Sequence, residues 1–307
     1  MSILSILFVF LLIDTTKSFQ LSSLLRSNNG KIKMEADMFA EASIGVKLQA
    51  GQLQRERYIA SNRFKCREGK GPKFEKRWAD RTSRLSQLDG FRFFTLLKRV
   101  ECYGVKYDND DANYVSYTIW EKKDNFDAWK NGEAFKEAHG GGGIMDFMKL
   151  LSTALFILNG GPKPAFYDGL LLEASKLSSM SSSSLGFEGD NGWRSIAADG
   201  ENFINPDLFV VSKKYSVKQP VDFEQAYSKK QRGAQDFEGL LGALLQRRDA
   251  DKSDDGFNYI STFFFKNKEA YEKYNQAFVG TSNEEEKYTD KITSVFYEGK
   301  LALMKQL

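Results

Sequence analysis

A single histidine, two cysteines and five prolines in 307 residues leave little room for several kinds of chemistry. Cys66 and Cys102 are too few for a disulfide framework and stand at no metal-ligand spacing. Small buried apolar side chains are the expected role for both. Neither sign of charge dominates: 44 Lys and Arg face 41 Asp and Glu, a net of +3. Binding nucleic acid needs a dense basic face, so no nucleic-acid partner is expected. The same balance gives no charge-driven attachment to a membrane surface. Nor is there an apolar run of transmembrane length.

The composition is that of a globular protein, 41% hydrophobic and 28% charged, and the length suits about two domains. Ile3 to Ile13 has the size of a signal-peptide core, so residues 1–18 read as a signal peptide. The stretch that follows, FQLSSLLRSNNGKIKM, carries Arg26, Lys31 and Lys33, several serines and asparagines, and no acid. That is transit-peptide composition, assigned to residues 19–45. A two-part leader of this kind predicts delivery to a plastid inside extra membranes; plain secretion is the alternative.

The remainder repeats itself. YIASNRFKC (58–66) parallels FVVSKKYSV (209–217), and FEKRWADR (74–81) parallels FEQAYSKK (223–230). LDGFRFFTLLKR (88–99) parallels FEGLLGALLQRR (237–248), and NYVSYTIWEKKDNFDAW (113–129) parallels NYISTFFFKNKEAYEKY (258–274). AFYDGLLLEA (165–174) parallels VFYEGKLALM (295–304). Blocks kept in one order predict two domains, 57–175 and 207–305, joined by a serine- and glycine-rich linker over 176–206. Trp193 in that linker reads as a packing anchor.

Each copy reads strand, helix, strand, strand, helix, strand. Phe74, Trp78 and Leu85 share one face of the first helix, and Pro72 suits its start. The acidic stretches DNDDAN (108–113) and DKSDDG (251–256) suit hairpin turns; neither has the spacing of a calcium loop. This β-α-β-β-α-β order is the ferredoxin-like plait, an α+β fold. Phe91, Phe93 and Leu97 point to one face of the second strand, and Phe94, Leu96 and Val100 to the other. Tyr114 and Trp120 likewise oppose Val115, Tyr117 and Ile119, while Phe263 and Phe265 oppose Ile260 and Phe264. Apolar residues on both faces mean burial on both sides. Helices cover one face, so the other meets a second sheet about 10 Å away. The expected architecture is two tandem plaits packed sheet to sheet, an intramolecular pseudo-dimer of dimeric α/β-barrel type. Strand order then separates Cys66 from Cys102.

In FDAWKNGEAFKEAH (126–139) the last residue is the lone histidine. Asp124 or Asn125 suits the cap of this helix, and Gly132 weakens its middle. Phe135 and His139 lie four apart on one face. An unbroken helix sets His139 roughly 15 Å from Trp129, whereas a break at Gly132 brings both toward one wall. Four glycines, Gly140–Gly143, follow and leave open space. Taken singly, His139 also fits a C-terminal cap, Trp129 a core residue, and Asn62 a strand edge.

Taken together, NRF on the first strand, FEKRW on the first helix, LDGF entering the second strand, YVSYTIWEKKDNFDAW and FKEAH resemble the antibiotic-biosynthesis-monooxygenase superfamily. Within it they are similar to haem-degrading monooxygenases of the iron-regulated surface determinant type. The resemblance covers residues 58–175 well and 208–305 only as fold. It implies haem as cofactor, with His139 as the ligand to haem iron, Asn62 as the distal hydrogen-bonding group and Trp129 as the wedge that ruffles the porphyrin. Phe135 would join them at the cofactor. It implies oxidative opening of haem with O2 and an external electron donor. Neutral imidazole is the usual axial donor, and an amide offers a hydrogen bond without a competing base.

Two departures accompany the resemblance. The second copy has Lys213 and Tyr274 where the first has Asn62 and Trp129, and no histidine, so it is expected to be a structural partner. The apolar segment 144–158 is long for a family loop; Met145, Phe147, Met148 and Leu151 would make it a lid, or else it fills the ligand's place. The alternatives are a non-catalytic plait pair binding a hydrophobic pigment or a protein partner, and a cofactor-free monooxygenase acting on a phenolic or quinone-like substrate beside Trp78 and Trp120.

Overall fold

A computed structural model describes residues 48–79, 85–104, 112–138, 156–174, 208–229, 237–250, 253–278 and 283–304. The leader segments 1–18 and 19–45, the linker with Trp193, most of 144–158 and His139 lie outside the described residues.

The first half contains β1 (Arg57–Phe64), α1 (Gly71–Ala79), β2 (Phe91–Val100) and β3 (Tyr114–Trp120). It continues with α2 (Lys123–Asn131), α3 (Glu133–Ala138) and β4 (Lys163–Ala174). The second half contains β5 (Phe209–Val217), α4 (Pro220–Lys229), β6 (Leu240–Arg248), β7 (Tyr259–Phe265), α5 (Lys268–Ala277) and β8 (Thr289–Met304). Strand, helix, strand, strand, helix, strand is thus realised twice.

Within each half the strand order is that of the plait, 4-1-3-2 and 8-5-7-6, and every ladder is antiparallel. The halves are joined at both edges as well. β2 pairs with β8 and β4 pairs with β6, so the eight strands close one barrel. A barrel without free edges removes the unpaired N–H and C=O groups that two stacked open sheets would leave. Strand β3 separates β1 from β2, and Cys66 and Cys102 are both free thiols.

The repeat extends to individual hydrogen bonds. Asn113 accepts from Cys66 N at 2.7 Å and donates to Cys66 O at 2.9 Å. Asn258 does the same with Val217, at 2.7 and 2.9 Å. Tyr114 donates to Glu75 and Tyr259 to Glu224, each at 2.6 Å.

Alternation along the strands divides the side chains as period 2 requires. Ile59, Phe93, Leu97, Val115, Tyr117, Ile119, Phe264 and their neighbours fill the barrel. Tyr58, Phe94, Tyr114 and Trp120 point outward under the helices. Phe91 departs from the expected pattern. A bulge between Phe91 and Phe93 shifts the register, so Phe91 meets Trp120 edge-on on the helix side while Phe93 stays inside.

The helix termini differ from expectation in two places. Helix α1 ends at Ala79, and Leu85 belongs to a separate 3-10 turn, Leu85–Gln87. The residue before α2 is Lys122, with no side-chain cap; Asn125 instead lies against Gly90, where any Cβ would overlap it. In the second half Asn267 does cap α5, accepting from Ala270 N at 2.9 Å.

The acidic turn between β6 and β7 folds back on the barrel. Asp254 pairs with Arg63 and Arg248, and Asp255 with Arg63 and Lys214. These carboxylates are held by cations rather than gathered for a metal.

Residues ahead of β1 dock on the second half. Leu53 N donates to Glu224 at 2.6 Å, Gln52 reaches Glu224 and Tyr259, and Arg247 donates to both Leu53 O and Glu224. Glu224 is wholly buried, so removing these partners leaves a buried carboxylate under-satisfied. A chain starting at residue 57 should lose about 2 kcal/mol relative to one starting at 48. The drop in Tm, read by calorimetry, is about 5 °C; an unchanged Tm would show that the segment adds nothing.

Candidate functional site

The central rows of the first sheet's outer face are built of small side chains. Ala60 on β1 stands opposite Thr118 on β3, and Asn62 opposite Ser116. Around these four the register sets large residues. Thr118 is flanked by Phe94 on β2, and Ala60 by Phe166 on β4. Tyr58 and Trp120 close one end of the rows, Phe64 and Tyr114 the other.

The walls are aromatic clusters held by the helices. From α1, Trp78 stacks on Phe94 at 5.5 Å and meets Phe64, while Phe74 meets Tyr114. From α2, Phe126 packs on Tyr58 at 5.4 Å and on Phe166 at 5.3 Å. Trp78 and Trp120 therefore belong to different walls.

Asn62 lies on this floor with its Oδ1 buried and without a hydrogen-bond partner among the described residues. A buried amide oxygen left unpaired is costly, and a ligand group that donates to it would relieve the cost.

Trp129 is part of the second wall. Its ring lies 5.5 Å from Trp120, 5.7 Å from Phe126 and 5.0 Å from Phe135, edge-on to the last. The expected break is present: α2 stops at Asn131, Gly132 takes extended backbone, and α3 restarts at Glu133. The break brings Trp129 and the buried Phe135 together. An indole clamped by three rings has one orientation. His139 falls one residue beyond α3, outside the described residues. The structure thus joins Trp129 to Phe135 and sets Asn62 on the adjacent floor.

Of the segment 144–158, Phe156, Ile157 and Leu158 are described. Leu158 bridges to Cys66, and Arg67 N donates to Ile157 O at 2.8 Å, fastening this end beside β1. Burial, with help from Glu75, pushes the Cys66 thiol up to about 12. It stays protonated at neutral pH and is a poor metal ligand. Among the described residues no group of three or more His, Cys, Asp or Glu could hold a metal ion.

The corresponding surface of the second half is filled. Val211 stands where the first half has Ala60, and Phe263 where it has Thr118. Val211 and Phe263 join a cluster with Phe209, Phe265 and Tyr274. Phe263 and Tyr274 are 5.8 Å apart, ring to ring. Lys213, at the place of Asn62, forms an ion pair with Glu286. Ala60, Ser116 and Thr118 are functional candidates that the sequence reading passed over. Small residues carry no signal until strand register shows them adjacent and the repeat shows what replaced two of them.

The sequence model of the antibiotic biosynthesis monooxygenase family matches residues 57–141. A heme oxygenase (mycobilin-producing) of Mycobacterium tuberculosis is 35% identical over 83 residues, 27% of this chain and 70% of that protein. A heme oxygenase (staphylobilin-producing) of Staphylococcus haemolyticus is 28% identical over 82 residues, 27% of this chain and 72% of that protein. The chain belongs to the antibiotic biosynthesis monooxygenase family, and its first half carries the match. Among solved structures, a protein of Fusobacterium nucleatum provisionally named a monooxygenase is 12% identical, with a TM-score of 0.54, over 83% of this chain and 97% of that chain. This likeness is one of fold, and its coverage exceeds what either half alone could supply. Among the described residues no helix is long and apolar enough to cross a membrane.

Proposed function

We propose that the chain is a haem-binding monooxygenase that holds one haem on the outer face of its first sheet and opens the ring with O2 and an external electron donor. The observation that carries this reading is the floor of Ala60, Asn62, Ser116 and Thr118, small side chains framed by aromatic walls. A flat apolar macrocycle needs such a surface, and family relatives named heme oxygenases support the choice of ligand.

In this reading His139, which follows α3 in the chain, would hold the haem iron through an imidazole nitrogen. Imidazole is neutral near pH 7 and needs no proton removed before it binds. Asn62 presents an amide that accepts and donates hydrogen bonds without titrating. Trp129, backed by Trp120, Phe126 and Phe135, would press on a bound ring, and Phe135 would add an apolar wall. When bound, haem supplies the iron at which O2 is reduced and the macrocycle that is oxidised. The second half, closed by Val211 and Phe263, serves in place of a second subunit, so we read the barrel as an intramolecular pseudo-dimer with one site.

The test is reduction in air. With ascorbate, the haem absorption band of the wild-type complex should bleach over minutes, and in Asn62→Ala about a hundredfold more slowly, the lower end of what a lost positioned hydrogen bond costs. A stable band in wild type would reduce the protein to a carrier. Equal rates in both proteins would remove Asn62 from the chemistry.

A further inference from the structure

Inside the barrel, away from the proposed haem face, the strands leave a cavity of about 40 Å³ bounded by both halves. Ser61 and Tyr117 face it from the first half; Ser212, Gln246 and Thr262 face it from the second. Gln246 Nε2 lies 2.6 Å from Thr262 Oγ1, and that hydroxyl lies 3.2 Å from Ser212 Oγ. These contacts leave two groups over. Tyr117 Oη and Gln246 Oε1 are both buried and have no hydrogen-bond partner among the described residues. The residues themselves are 6% and 1% exposed, so both groups lie beneath the surface. Burial, with Tyr167 adding to it, raises the Tyr117 phenol well above its ordinary range, so the group is neutral and keeps its proton.

The chemistry of the occupant follows from these groups. It donates to Gln246 Oε1 and exchanges a hydrogen bond with Tyr117. It is uncharged, because the ionic groups at the rim already answer one another: Asp255 lies 3.2 Å from Arg63 and 3.3 Å from Lys214. It is small, since one water takes roughly 10–15 Å³ of such space and the cavity admits about three. We infer that the barrel holds a cluster of about three ordered water molecules, hydrogen-bonded to Tyr117 of one half and Gln246 of the other, as a wet seam between them.

Divergence of the two copies explains why the site exists. The repeat places Thr262 where the first half has Tyr117, and Gln246 where it has Leu97. Tyrosine in both halves would fill the space, and leucine in both would leave no amide to solvate. Only the mixed pairing leaves polar groups around an unfilled volume.

A crystal structure of the chain at high resolution tests this directly. Separate solvent peaks within hydrogen-bond distance of Tyr117 Oη and Gln246 Oε1 are expected. Tyr117→Phe should remove the peak at that oxygen and lower Tm by about 2–6 °C, because a satisfied buried hydroxyl is lost. A cavity without peaks overturns the inference, as does continuous density of a larger molecule. An unchanged or raised Tm in Tyr117→Phe also contradicts it, since removing an unpaired buried hydroxyl is neutral or stabilising. Oxygen-17 magnetic relaxation dispersion on wild type asks the same question in solution: long-lived internal waters support the cluster, and their absence overturns it.

Discussion

Replacing His139 with alanine should abolish saturable haem binding: the Soret shift expected of wild type on titration with hemin should become weak and linear. The effect is large because this chain has one imidazole. Cys66 keeps its proton, with its thiol pushed up to about 12, and offers no thiolate. Loss of a residue that merely orients a metal ligand costs roughly 10–100-fold in affinity, so loss of the ligand itself exceeds about 100-fold. Asn62→Ala and Phe135→Ala should weaken binding far less, since each forfeits a hydrogen bond or a wall. Equal binding by wild type and His139→Ala would take the histidine out of the site.

The second large effect comes from filling the floor. The second half supplies a tested design, with alanine at the place of Phe94 and Phe263 at that of Thr118. There the ring on the second strand has moved to the third, and its space is occupied by Phe263 against Tyr274. Phe94→Ala/Thr118→Phe therefore repeats in the first half a packing that the same fold already uses. Swaps that roughly conserve volume cost under about 1.5 kcal/mol, so the double variant should stay folded. Its haem affinity should fall by at least about tenfold, the equivalent of 1.4 kcal/mol. A folded double variant that binds as wild type does would locate the ligand elsewhere.

Much of the architecture could be read along the chain, because two kinds of repetition coincide. The blocks of 58–175 recur in 208–305, and within each strand the alternation assigned Val115, Tyr117 and Ile119 to one face and Tyr114 and Trp120 to the other. Gly132 marked the helix break correctly, since glycine is the weakest helix former after proline. What escaped depends on pairing between distant residues. The bulge that turns Phe91 outward exists only relative to β3. Edge ladders β2–β8 and β4–β6 turn two plaits into one barrel without leaving any local mark. Gln52 and Leu53 belong to no repeat block, yet they complete the shell of Glu224, 171 residues or more away. Candidate site residues split along the same line. Trp129 and Phe135 were visible as large aromatics at helical spacing, whereas Ala60, Ser116 and Thr118 gained meaning only from β1–β3 register. Asn62 belongs to both groups, named by resemblance and set among these small residues by the β1–β3 register.

The central claim is that one half of the barrel holds a haem and the other cannot. Spectrophotometric titration of a chain starting at residue 48 with hemin, at protein concentrations well above the dissociation constant, tests it most directly. The Soret change should rise in proportion and break sharply at one haem per chain. A break at two would show that Val211 and Phe263 do not close the second half, and a trace with no break would contradict the haem site altogether.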